Sequence, residues 1–169
     1  MRKVVLTSLA VGAALMLAGQ ARAQSAPPAP AAPPPPYGET LNSETAKKAA
    51  AAAVEESKKN AWAMCIAVVG PSGDLVYFER MDNCQFASIT ISQHKARAAA
   101  TFRRPTKVFE DRIASGGSGI AAMTLDGVIA SEGGIPIIVG GKIVGAMGCS
   151  GGTGQQDGTA CQAGVNALK

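Results

Sequence analysis

The chain holds one histidine, His94, and a neutral imidazole is the side chain best suited to ligate a transition metal or to act as a base near neutral pH. At 100° per residue, a helix through this stretch buries Ser92, Lys95, Ala96, Ala99 and Phe102. His94 then points to one flank, with Ile91, Ala98 and Thr101. Three readings stay open there: a solvated flank residue, a metal ligand, or a catalytic base. No Ser-His-Asp order accompanies it, so no catalytic residue is assigned. Arg80, Asp82 and Lys95 form a second set. Strand ends present charges to clefts. Arg80 can fork onto a ligand carboxylate and Asp82 can orient it; the alternative is an ordinary ion pair fixing a strand to the next helix.

Two glycine-rich segments add backbone donors. Ser150-Gly151-Gly152-Thr153-Gly154 follows a strand pattern and precedes a helix pattern, where free amides can cradle an anion. It lacks the lysine of a P-loop and the spacing of a dinucleotide fingerprint, and a plain loop explains it equally well. Gly133-Gly134 permits either close approach to a ligand or a tight turn. Met81, Met123 and Met147 are soft ligands by type and core residues by default. Histidines and carboxylates do not cluster as a hydrolytic metal site requires. The four cysteines, Cys65, Cys84, Cys149 and Cys161, contain no C-x-x-C, which excludes thioredoxin-type redox chemistry and covalent haem attachment. Two disulfides in any of three pairings are open to them.

These residues need elements to position them. Asn42 caps a helix from Ser43 to Lys59 whose Ala46, Ala49, Ala50, Ala53 and Ser57 make a smooth face, with Asn60 as its left-handed stop. Ala63–Val69 and Leu75–Met81 flank Gly70-Pro71-Ser72-Gly73-Asp74 as a hairpin. A helix from Ser88 to Arg103 stops before Pro105, and Thr106 caps a short third helix. Ile120–Ala130 reads as one or two short strands. Ile135–Val139 and Lys142–Gly148 form a second hairpin about Gly140-Gly141, with Pro136 at a sheet edge or bulge. Gln156–Leu168 closes the chain as a helix. The order predicts an α/β (α+β) domain with a central antiparallel sheet of about five strands packed by helices. βαβ units are absent, which disfavours a doubly wound nucleotide fold.

The first residues read as an export signal over 1–23. Arg2 and Lys3 precede an apolar stretch, Val4 to Ala18, and Ala21-Arg22-Ala23 matches a cleavage site before Gln24. The apolar stretch is short for a membrane helix of about 20 residues, so no membrane span is expected after cleavage and the mature protein is expected to be periplasmic or secreted. Seven of the ten prolines (Pro27, Pro28, Pro30 and Pro33 to Pro36) lie in the linker 24–37, which reads as a polyproline II spacer. The domain is 38–169. Cleavage removes Arg2, Lys3 and Arg22 from the 16 basic residues, leaving 13 against 12 acids. A nearly neutral protein has no electrostatic warrant for nucleic acid.

Arg80-Met81-Asp82, Lys95-Ala96, Thr101-Phe102-Arg103-Arg104-Pro105-Thr106, Gly133-Gly134-Ile135-Pro136-Ile137, Gly145 to Gly152 and Gln156-Asp157 occur in succession. Together they resemble the GlcG/HbpS-like haem-binding family, related to the C-terminal domain of a class of cobalamin adenosyltransferases, from about Leu41 onward. The resemblance implies a profilin-like sandwich, homo-oligomeric assembly and haem or a related tetrapyrrole as the small-molecule ligand. With that ligand in view, Arg80, Asp82, Lys95, Gly133, Gly134, Ser150, Gly151 and Asp157 are the expected ligand-binding residues and His94, as the only imidazole, the candidate axial haem ligand. Gly158 and Cys149 depart from the usual pattern, where an acid and a valine are common. The leading expectation is an exported haem scavenger or sensor; an enzyme acting on haem or a small anionic metabolite, and a structural accessory domain held by the proline spacer, are the rivals.

Overall fold

The computed structural model describes residues 32–169; the expected signal segment, its cleavage site and the first part of the proline linker lie outside the described residues. Nine elements follow in order. Helix α1 spans Ser43–Lys59, and the Asn42 side chain accepts from the Thr45 amide at 2.8 Å, as an N-cap should. Strands β1 (Cys65–Val69) and β2 (Leu75–Arg80) form the first hairpin. Helices α2 (Phe86–Thr101) and α3 (Lys107–Ala114) lead to a 3-10 segment, Gly117–Thr124. Strands β3 (Gly134–Val139) and β4 (Lys142–Ser150) form the second hairpin, and α4 spans Gly154–Asn166.

The sheet order is β2-β1-β4-β3, antiparallel throughout. Joining the hairpins through β1 and β4 buries both faces of β1. Ile66 and Val68, with Met147 and Cys149 of β4, meet the alanine face of α1 and Ala160, Cys161 and Val165 of α4. Ala67, Val69 and Ala146 face Ala96, Ala99 and Ala100 of α2. The result is three layers, α1 and α4 on one side of the sheet and α2 on the other. Small side chains set the spacing on the α2 side: a Cβ at Gly148 would strike the Ser92 carbonyl and the Ala96 amide. This profilin-like sandwich agrees with the fold expectation, with an open sheet of four strands where about five were expected.

Four local readings are corrected. Ile120–Ala130 holds no strand: the chain runs as the 3-10 segment to Thr124, with Gly119 packed against the Arg112 carbonyl where no Cβ would fit. Asn60 is not the left-handed stop. Its φ is −102°, its side chain donates to the Glu56 carbonyl at 2.8 Å, and Ala61 takes the positive φ instead. Thr106 stands at the N-cap position of α3 as expected, but its side chain makes no cap hydrogen bond, because its hydroxyl is drawn into the Gly133-Gly134 turn. The linker's end is no free spacer. Pro36 accepts from the Ile143 amide at 2.9 Å, Gly38 donates to the Ile143 carbonyl at 2.8 Å, and Tyr37 bridges to β4 beyond the end of β1. Gly140 and Gly141, at φ 56° and 75°, supply the mirror-image turn expected of the second hairpin, and Pro136 sits on the outer strand.

Candidate functional site

Lys95 is the largest fully buried side chain, only 1% exposed. A buried ammonium persists only where it is paired and hydrogen-bonded. Its Nζ donates to Asp157 Oδ2 at 2.7 Å and to the Glu132 carbonyl at 2.6 Å. The α2 spacing that buries Ser92, Ala96 and Ala99 forces Lys95 inward with them, while α4 brings Asp157 from its first turn. Asp157 Oδ1 also accepts from the Gly152 amide at 2.9 Å. Burial pushes the Asp157 carboxyl above its ordinary range, against the opposing pull of Lys95 and the Gly151 and Gly152 amides.

Gly133 and Gly134 lie directly over this pair. Gly133 has φ +123°, and a Cβ there would fall 2.7 Å from Asp157 Cβ and 3.0 Å from Lys95 Nζ. The Thr106 hydroxyl donates to the Ser131 carbonyl at 2.6 Å and accepts from the Gly134 amide at 2.9 Å. Glu110 Oε2 accepts from the Glu132 amide at 2.6 Å. Lys95 of α2, Thr106 at the head of α3 and Glu110 within α3 thus fix one glycine turn. The close approach anticipated at Gly133-Gly134 is to the chain's own Lys95, Thr106 and Asp157.

The other expected residues separate. Lys95 pairs with Asp157 rather than with Arg80 and Asp82. Arg80 is exposed, 5.0 Å over the ring of Phe86, and neither it nor Asp82 forms an ion pair among the described residues. Both line a groove of about 480 Å³ with Trp62 and Met81. Ser150 is buried with its hydroxyl 2.9 Å from that of Ser88. The anion cradle expected after β4 is filled internally: Gly151 and Gly152 serve Asp157, and the Thr153 amide serves Gln156 in a capping box. Met147 is core, as expected; Met123 is 67% exposed. The cysteines pair Cys65–Cys84, tying β1 to the entry of α2, and Cys149–Cys161, tying β4 to α4.

His94 is exposed on the α2 flank and makes no hydrogen bond among the described residues. It lines a groove of about 480 Å³ with Arg97, Asp126, Gly127, Val128 and Ile129. Arg97, one turn along, is held by a 3.3 Å bond from its Nε to the Gly73 carbonyl. A larger cleft of about 670 Å³ opens on the outer side of the glycine turn, between α3 and α4. Glu132, Glu56 and Asp111 supply its carboxylates, and Val108, Ile135 and Ala163 its apolar wall. An adjoining hollow of about 360 Å³ shares Pro105, Ile135 and Gln162 with that cleft and carries Arg103 and Arg104. Sequence reasoning did not single out Glu132, Thr106 or Arg97 as site residues. Their signals were adjacency to Gly133, to Pro105 and, at i+3 on a helix, to His94.

The layered sandwich, with its glycine turn locked on a buried Lys-Asp pair, defines a small α/β protein whose sheet is packed by helices on both faces. The family described as haem-degrading protein HbpS-like matches residues 41–166. The chain belongs to that HbpS-like family. It is 42% identical over 96 residues to protein GlcG of Escherichia coli K12, covering 57% of this chain and 70% of that protein. The crystal structure of a Streptomyces reticuli HbpS double mutant superposes with a TM-score of 0.72 at 28% identity, covering 86% of this chain and 98% of that one. The haem complex of PduOC shares the fold, with a TM-score of 0.69 at 22% identity over 77% of this chain and 96% of that one.

Proposed function

We propose that this protein is an exported haem-binding protein that scavenges or senses the tetrapyrrole, holding it in the groove beside His94. The observation that carries the site is the only imidazole of the chain, exposed and without a hydrogen-bond partner among the described residues, in a groove with a guanidinium one helical turn away. Such a set fits haem: His94 offers a nitrogen ligand to the iron, Arg97 a fork for a propionate, and Val128 and Ile129 an apolar wall. Bound haem would supply the iron and the redox chemistry; the chain orients it and shields one face. The family's description as haem-degrading and the fold shared with a haem complex support the choice of ligand.

Haemin titration of the mature protein is expected to give a shifted Soret band with a fixed stoichiometry. An unshifted spectrum in both oxidation states would remove haem from the account. His94→Ala is expected to change the bound spectrum; an unchanged spectrum would reject the ligand while leaving haem binding in place. The second reading, an enzyme that degrades haem, is separated by following the complex with a reductant and dioxygen together: a binding protein keeps a Soret band, whereas one that opens the ring bleaches it, and not when dioxygen is left out.

Export and assembly belong to the same proposal. Two disulfides support an oxidising compartment, and no helix among the described residues is long and apolar enough to cross a membrane. A mature N-terminus at Gln24 in periplasmic or culture fluid is the check, and a cytoplasmic full-length chain would refute it. Ile120 and Met123 on the 3-10 segment and Leu125 just after it, 51%, 67% and 45% exposed, support a homo-oligomer. Light scattering that gives a monomer would refute it.

A further inference from the structure

The 670 Å³ cleft and its neighbouring hollow differ in charge as sharply as they agree in apolar lining. At the cleft end, Asp111 is neutralised by Lys107 at 2.7 Å, and Glu56 is approached by Lys59 at 3.5 Å and Asn60 Nδ2 at 3.1 Å. The Glu132 carboxylate has no ion-pair or hydrogen-bond partner among the described residues, since only its backbone groups are engaged. It lies against Gly158, where any Cβ would meet Oε1 at 2.6 Å, so glycine there makes room for it. Lys95 is already spent on Asp157 and the Glu132 carbonyl, and Lys107, which lines the same cleft and feels the Glu132 charge, is paired with Asp111.

At the other end, Arg103 and Arg104 form no ion pair among the described residues. Arg103 lies 5.4 Å over the Tyr37 ring, and Arg104 Nε donates to the Phe102 carbonyl at 3.0 Å, leaving guanidinium donors on both. Arg103 also sits at φ +56°. A left-handed conformation is one that glycine adopts without the steric cost an arginine meets. Pro105 and Ile135, common to both hollows, form the apolar waist between the two charged ends.

We propose that this trough is a second binding site, separate from the His94 groove, for an extended zwitterion with an apolar middle, a short peptide in particular. The ligand's ammonium pairs with Glu132, its carboxylate with Arg103 and Arg104, and its side chains lie on Pro105 and Ile135. A dianion such as a tetrapyrrole with two propionates meets the wrong charge at the Glu132 end, so the two sites select different ligands.

The test is calorimetric titration of the full mature protein with the tripeptide Leu-Ala-Leu, its N-acetyl form and its C-terminal amide. Each blocked form is expected to bind about tenfold more weakly than the free peptide. Glu132→Gln is expected to erase the penalty for acetylation and keep that for amidation, with the haemin spectrum unchanged. Arg103→Gly, which relieves the left-handed backbone, is expected to shrink the penalty for amidation and, together with Arg104→Gln, to erase it, with the haemin spectrum unchanged. 6-Aminohexanoate, which has the charges without side chains, is expected to bind more weakly than the peptide; equal binding would overturn the peptide assignment. Absence of peptide binding, equal binding of blocked and free forms, or a Glu132→Gln variant that still prefers a free N-terminus would each overturn the proposal.

Discussion

Lys95→Met removes the cation from the centre of the site while keeping the length of the side chain. At 2.7 Å and an effective dielectric of about 20, the attraction it loses is roughly 6 kcal/mol gross. Most of that is offset in the native protein by the cost of drying both ions. The substitution does not recover that cost for Asp157, which stays 3% exposed with only the Gly151 and Gly152 amides as donors, and it leaves the Glu132 carbonyl without its Lys95 donor. Breaking a buried pair on one side costs about 3–5 kcal/mol, which at roughly 4 °C per kcal/mol is a fall in melting temperature on the order of 10–20 °C. Asp157→Asn in the same background removes the stranded charge and keeps an acceptor for Gly152, so the double variant is expected to recover about half of the loss. Denaturant unfolding of wild type, both singles and the double closes the cycle. A cost below about 1 kcal/mol for Lys95→Met, or single effects that add within about 0.5 kcal/mol, would show that the pair does not act as a unit.

Thr106→Val keeps the volume but strands the Ser131 carbonyl and the Gly134 amide; a loss of about 2–4 kcal/mol is expected in denaturant unfolding, and a neutral variant would mean the turn is held elsewhere. Replacing Cys149 and Cys161 together by alanine opens a bridge spanning 12 residues and is expected to cost about 3 kcal/mol by loop entropy, again read from unfolding. Gly134→Ala drives a methyl into the Lys95 carbonyl and to 2.5 Å from Thr106 Cγ2, and overpacking of this kind is expected to cost about 1–3 kcal/mol. The Asp157 carboxyl is raised above 3.8 in the folded protein, so the folded state holds its proton to higher pH than the unfolded chain. Its contribution to stability is therefore present below 3.8 and lost as pH rises through the folded value. A carboxyl-carbon NMR titration should show a midpoint above 3.8; one below it would refute the dominance of burial.

What the chain's order of residues determines is local. Alanines at helical spacing predict the α1 face, Gly140-Gly141 the second hairpin, and the register of α2 the inward turn of Lys95 and the outward turn of His94, because each depends on neighbours a few residues away. The 3-10 segment is not legible as such, because the apolar residues between Ile120 and Ile129 carry no period that separates it from strand, and the contact between Gly119 and the Arg112 carbonyl exists only after α3 has formed. Likewise, motifs at Lys95, Gly133-Gly134 and Asp157 are visible one by one, but nothing along the chain says that they converge. Arg80 and Asp82 were grouped with Lys95 by residue type; the pairing of β1 with β4 instead puts β2 on the edge opposite β3, and the partner delivered to Lys95 is Asp157, 62 residues on. The cysteine pairing and the trough between Glu132 and Arg103 were settled the same way. Side-chain direction within an element follows from backbone periodicity, whereas contacts between elements depend on how layers stack, and only the folded sandwich fixes that.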